Sequence, residues 1–213
     1  MNHARIHAPR HLDVTGLTCL RGEREIFADL SFSVAPGTAL LLRGPNGAGK
    51  TSLMMCLAGF LHTQQGTIVW QGRDPEQRPG EDMHFIGHQS AVKPDLSVNE
   101  NLKFWASING GDPANTANAL EAAGIGHTAD LDAALLSAGQ TRRLALARLL
   151  AAPRPVWLLD EPTSALDAAG DKWIAGLIDT HLDQGGLVIA ATHLDLALKP
   201  ASRIKTLDLG ATA

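Results

Sequence analysis

Short, unbroken apolar runs recur along the chain, each ending at glycine, polar or charged residues. Thr38-Ala39-Leu40-Leu41-Leu42-Arg43, Val156-Trp157-Leu158-Leu159 and Leu187-Val188-Ile189-Ala190-Ala191 are the clearest. Runs this short that show no alternation suit strands buried on both faces of a parallel sheet. Alternation marks other stretches. Leu12-Asp13-Val14 and Leu30-Ser31-Phe32-Ser33-Val34 read as short strands within 12–36, and Gly66-Thr67-Ile68-Val69-Trp70 as a further one. Ala35-Pro36-Gly37 is a turn. A polar, proline-bearing stretch over 71–82 leads into His84-Phe85-Ile86-Gly87-His88-Gln89. From about 90 to 152 the pattern becomes helical, rich in Ala and Leu and broken at Gly110-Gly111 and Gly124; its last helix stops before Pro153. The expectation is an α/β fold with a mainly parallel sheet. Its core spans 11–89 and 153–213, a helical lobe is inserted at 90–152, and residues 1–10 form a flexible polar tail.

Bulk properties narrow the classes. Lys and Arg total 18 against 22 Asp and Glu, a net charge of −4, which argues against a partner held by neutralising nucleic-acid phosphates. No apolar run approaches 18 residues, and the N-terminus lacks the apolar stretch of a secretory signal, so a cytoplasmic protein is expected. The two cysteines, Cys19 and Cys56, match no metal or redox spacing.

The chemistry sits where the apolar runs end. After the run 38–43 comes Gly44-Pro45-Asn46-Gly47-Ala48-Gly49-Lys50-Thr51, which fits G-x-x-x-x-G-K-[ST], and then the helical stretch from Ser52 to Ala58. Strand, glycine-rich turn and helix N-terminus together aim backbone N–H groups at a phosphate. This implies a nucleoside triphosphate site, with Lys50 reaching the β- and γ-phosphates and the Thr51 hydroxyl ligating Mg²⁺. Asp160 and Glu161 close the run 156–159. Asp160 is placed to hold the hydration shell of Mg²⁺ opposite Thr51, and Glu161 to polarise the water that attacks the γ-phosphate. His193 follows the run 187–191 and is the histidine expected on the γ-phosphate; Gln89 is expected to sense that phosphate and Mg²⁺. Ser137 and Gly139 start the helix of 141–150 and make a second anion site. One phosphate loop and two anion sites are reconciled if Ser137 and Gly139 cap the nucleotide of a second copy.

In this order the motifs resemble the ATP-binding subunits of ABC transporters: the phosphate loop at 44–51, Gln89, Leu136-Ser137-Ala138-Gly139-Gln140, Asp160-Glu161, Ser164-Ala165-Leu166-Asp167 and His193. The resemblance implies a P-loop nucleotide-binding domain in which an antiparallel β subdomain joins the parallel core. It also implies a head-to-tail homodimer enclosing two ATP molecules. Ser52 and Gln140 then join the nucleotide contacts and Asp167 crosses the interface. Two departures stand out. Ala138 replaces the glycine of LSGGQ, and the aromatic residue on which the family commonly stacks adenine is absent from a chain without tyrosine; Arg21 falls at that place, where its guanidinium plane can stack on a base.

The finer resemblance runs from about Leu12 to Leu209 and is to the ATP-binding subunit of the cytochrome c maturation (Ccm) system. It rests on Phe85-Ile86-Gly87-His88-Gln89 followed by Lys93, on Glu100-Asn101-Leu102-Lys103-Phe104, and on Leu136-Ser137-Ala138-Gly139-Gln140-Thr141-Arg142-Arg143. It implies an ATP hydrolase bound peripherally to an integral membrane permease at the cytoplasmic face of the bacterial inner membrane, with no nucleic-acid partner. Hydrolysis would drive haem export or release of a haem-loaded chaperone. Two alternatives stand beside it: the ATPase subunit of another small-cargo ABC transporter, and an ATP-gated regulatory module without turnover. Glu161 opposes the last.

Overall fold

The first strands form a hairpin longer than the alternation predicts. In the computed structural model, which describes residues 10–74, 76, 79–193 and 196–210, β1 runs His11–Arg21 and β2 Arg24–Val34. The expected tail at 1–10 lies, apart from Arg10, outside the described residues. Leu12 and Val14 face inward, and so do Leu17 and Cys19, but the two pairs are out of phase. A bulge between Val14 and Leu17 resets the register, and the Gly16 N–H there donates to the Ser31 hydroxyl at 2.9 Å. The slip hides one continuous strand behind two short alternating fragments. β3 (Ala39–Arg43) leads to α1 (Lys50–Leu57), and β4 (Gln65–Gln71) returns antiparallel to β1, giving a small sheet of order β2-β1-β4.

β5 (Met83–Ile86) precedes the helices α2 (Val98–Ile108), α3 (Thr116–Ala122) and α4 (Ala138–Ala151). Then come β6 (Val156–Asp160), α5 (Ala168–Asp183), β7 (Leu187–Ala191) and β8 (Ile204–Asp208). The second sheet is parallel throughout, in the order β5-β6-β7-β3-β8. The chain is thus α/β, with a parallel core sheet and a small antiparallel one. No helix among the described residues is long and apolar enough to cross a membrane.

The apolar runs bury both faces by alternation. Val156, Leu158, Leu40 and Leu42 point into a core shared with Leu53, Met54 and Leu57 of α1 and with the antiparallel sheet. Trp157, Leu159, Ala39 and Leu41 point the other way, onto Ala145, Leu146 and Leu149 of α4 and Ile174 and Ile178 of α5. A third cluster joins Val98, Leu102 and Ala106 of α2 and Leu120 of α3 to Leu144, Ala147 and Ala151 of α4. Because β7 lies between β6 and β3, the carboxyl ends of these three strands are side by side. In open parallel sheets that edge is where ligands gather.

Candidate functional site

The turn after β3 is shaped by glycines at which a side chain is disfavoured. Gly44 has φ +128°, and a Cβ there would lie 2.1 Å from the Leu209 carbonyl oxygen. Gly49, the N-cap of α1, has φ +97° and would drive a Cβ to 2.5 Å from Ile26. No side chain caps α1, so its first N–H groups point outward without a side-chain acceptor. The Lys50 ammonium folds back over the turn, donating to the carbonyls of Gly44 at 2.7 Å and Pro45 at 3.1 Å, and Lys50 is only 9% exposed. Uncapped N–H groups and a cation held only by backbone carbonyls make a site for a polyanion.

The end of β6 faces this turn. The Thr51 hydroxyl donates to Asp160 Oδ2 at 2.8 Å, with Asp160 6% exposed. Two hard oxygen donors at this separation fit Mg²⁺. Among the described residues no group of three or more His, Cys, Asp or Glu gathers around a common point. Glu161 takes a left-handed backbone, φ +47°, and its N–H donates to the Ala191 carbonyl at 2.8 Å. This turn lifts its carboxylate off the sheet, where Oε1 lies 3.5 Å from His193 Nε2. The same His193 nitrogen lies 3.3 Å from Asn46 Oδ1, so one imidazole spans the phosphate turn and the acidic turn.

These groups line a cleft of about 700 Å³. Of the residues singled out from sequence, Arg21, Asn46, Gly47, Gly49, Lys50, Thr51, Ser52, Asp160, Glu161 and His193 lie on its wall. Gln89 does not; it is exposed beside the cleft, and its neighbour His88 takes the lining position. Sequence reasoning also missed Arg24 and Ile26, which join Arg21 on the hairpin, and no spacing rule marks them. Arg21 and Arg24 are directly paired across β1 and β2, so two guanidinium groups stand at one end of the cleft.

Ser137, Gly139, Gln140 and Asp167 stand outside their own chain's cleft. Ser137 caps α4, accepting from the Gln140 N–H at 3.3 Å while the Gln140 side chain accepts from the Ser137 N–H at 2.9 Å. Asp167 caps α5. Its carboxyl is held below the usual carboxylate range by the Gly170 N–H at 2.7 Å and then by Arg143 at 3.4 Å. Its side chain is 75% exposed and Ser137 is exposed too, so both caps are presented outward.

Comparison with known proteins identifies the family and the fold. The ABC transporter family model matches residues 27–164. A cytochrome c biogenesis ATP-binding export protein, CcmA, of Rhodopseudomonas palustris is 53% identical over 183 residues, covering 86% of this chain and 92% of the relative. The protein of the same name from Nitrobacter winogradskyi is 51% identical over 187 residues, covering 88% and 94%. Among solved structures, an ABC transporter ATP-binding protein from Pyrococcus furiosus superposes with a TM-score of 0.80 at 22% identity, covering 93% of this chain and 97% of that one; it shares the fold.

Proposed function

The chain belongs to the ABC transporter family and, within it, to the cytochrome c biogenesis ATP-binding export proteins, and from that premise we propose that it binds and hydrolyses ATP to drive a step of c-type cytochrome biogenesis. The observation that carries the reading is the convergence of Lys50, Thr51, Asp160, Glu161 and His193 on one cleft at the ends of three adjacent strands. The name of the relatives, cytochrome c biogenesis ATP-binding export protein, supports the pathway. The step is haem export or the release of a haem-loaded chaperone.

Each residue has a role that its surroundings suit. Lys50 exchanges its two carbonyl partners for the β- and γ-phosphates. Thr51 and Asp160 hold Mg²⁺, which when bound offsets phosphate charge. Glu161 accepts the proton of the attacking water, and His193, bridging Asn46 and Glu161, faces the γ-phosphate. Gln89, beside the cleft, follows its occupancy. Arg21 holds the base. Ser137, Gly139, Gln140 and Asp167, outside their own cleft, meet the ATP of a second copy in a head-to-tail dimer, and an integral membrane permease holds that dimer at the cytoplasmic face of the inner membrane.

The test measures covalently bound haem in c-type cytochromes of a strain lacking this chain. Wild type should restore the signal and Glu161→Gln should not. Unchanged cytochromes in the deletion strain overturn the pathway. Rescue by Glu161→Gln overturns the requirement for hydrolysis.

A further inference from the structure

We infer that Arg142 is a positioning residue for Glu161, pinning the acidic turn to α4. The inference rests on the role proposed for Glu161 above. Arg142 lies in the second turn of α4, surrounded by residues that favour helix, and only 3% of it is exposed. Its guanidinium donates from Nη2 to the carbonyls of Asp160 at 2.6 Å and Glu161 at 2.7 Å, and from Nε to that of Pro162 at 3.3 Å. Nη1 reaches the Gly87 carbonyl at 2.9 Å. Burial alone lowers the pKa of this group, and the charges of Asp160 and Glu161 act against that.

Three consecutive carbonyls turned toward one cation are not a strand or helix pattern; the fork of a guanidinium gathers them. The turn they belong to contains the left-handed Glu161, a conformation unfavourable for a residue with a Cβ. The Glu161 backbone is therefore clamped from two sides: its N–H by Ala191 of β7, and its carbonyl by Arg142 of α4 together with the Ser164 N–H of the same turn at 3.0 Å. Where that backbone stands decides where the carboxylate stands. The fourth bond, to Gly87, brings the segment just before His88 and Gln89 onto the same pin. Five residues upstream on the same helix is the cap Ser137, roughly 7–8 Å away along the axis. A displacement of α4 at Ser137 thus reaches the acidic turn of its own chain directly.

The test uses the full chain in complex with its membrane subunit and compares Arg142→Lys with Arg154→Lys. Arg154 likewise donates to three carbonyls, those of Gly80, Met83 and Asn109, but far from the acidic turn. A lysine keeps the charge and loses the fork. Arg142→Lys should lower kcat about 10- to 100-fold, the cost of misplacing a reacting group by about an ångström, with KM for ATP changed less than about threefold. In a Glu161→Gln background it should lower residual single-turnover hydrolysis no further, because it acts through the missing carboxylate. Arg154→Lys should keep kcat within about threefold at a comparable loss of Tm. Four results overturn the inference: an unchanged kcat, an equal loss in Arg154→Lys, a multiplicative loss with Glu161→Gln, or failure of both Arg142→Lys and Arg142→Gln to fold. A Glu161→Gln protein that hydrolyses ATP at the wild-type rate instead overturns the role given to Glu161, whatever Arg142 does.

Discussion

Replacing Lys50 by alanine separates the two jobs its ammonium can do. Without ligand it bonds the Gly44 and Pro45 carbonyls at 2.7 and 3.1 Å. With nucleotide it must face phosphate oxygens, so binding exchanges one pair of charged hydrogen bonds for another. A hydrogen bond to a charged group is worth about 1.5–3 kcal/mol net, and truncating one partner of a buried charge pair costs about 2–5 kcal/mol. Since the variant no longer has carbonyl bonds to give up, the lower part of that range applies, about 2–4 kcal/mol. That corresponds to a Kd for ATP about 30- to 700-fold weaker. The carbonyls it leaves belong to half-buried Gly44 and exposed Pro45, where water can replace the ammonium. The unliganded chain should therefore lose only about 1 kcal/mol, or about 2–4 °C in Tm. Titration with a fluorescent ATP analogue and Mg²⁺ measures the first quantity. Thermal melting with and without ATP measures the second: wild type gains about 2.7 kcal/mol at a ligand concentration of 100 Kd, and the variant should not. ATP binding within threefold of wild type refutes the phosphate role. An unliganded Tm lowered by more than about 10 °C, far beyond the 1 kcal/mol above, refutes the account of the turn.

Gly44→Ala should cost about 2–5 kcal/mol, combining a φ unfavourable for alanine with a collision against a backbone carbonyl; Gly47→Ala, at φ +83° with nothing within 4 Å, should cost about 1–2 kcal/mol. Equal melting temperatures for the two would show that the Leu209 carbonyl is no barrier. Arg21 and Arg24, with no Phe, Trp or Tyr among the described residues of the cleft wall, should discriminate poorly between bases, so ATP and GTP should bind within about tenfold; a hundredfold preference for ATP sinks that reading. His84 on β5 is buried and bonded to the Ala152 carbonyl. Burial, ahead of repulsion by Arg154 and Arg148, lowers its pKa from 6.5 to about 3. The unfolded chain therefore takes up the proton first. His84 stabilises fully above pH 6.5, and that contribution is lost as pH falls toward 3, at up to about 1.4 kcal/mol per pH unit. His84→Gln, whose amide can still donate to Ala152, should flatten the acid limb of stability against pH measured by denaturant titration; an unchanged slope assigns it to other groups.

How much of this was legible in the sequence depended on whether a signal was local. The phosphate turn is local: spacing, glycines and the helix start lie within a dozen residues. β3, β6 and β7 are legible because burial on both faces requires unbroken apolar runs, and Asp160 and Glu161 follow from where one run stops. The full length of β1 was not, because the bulge at Gly16 moves its inward residues out of phase. β8 escaped notice because Ile-Lys-Thr-Leu-Asp at the sheet edge is only partly buried, and α5 because Ala, Gly and Asp in its first turns weaken its pattern. That the cleft is lined by His88 and not Gln89 depends on where the chain bends after β5, which neither residue type determines.

Arg142 shows the limit most sharply. In a stretch of helix formers an arginine reads as a solvated charge, since local pattern predicts that the polar residues of a helix face water. α4 has no such clean face. Leu144, Ala147 and Ala151 enter the cluster of α2 and α3, while Ala145, Leu146 and Leu149 enter the one beneath the parallel sheet. A helix buried on two sides has to bury some of its polar residues too, and a buried cation is tolerable only where acceptors converge on it. Carbonyls released from regular pairing by the acidic turn and by the end of β5 are such acceptors. The same packing that erases the amphipathic signal of α4 thus creates the need for a buried guanidinium beside the acidic turn. That ties the helix whose first residues would face a second copy's nucleotide to the carboxylate that would act on its own.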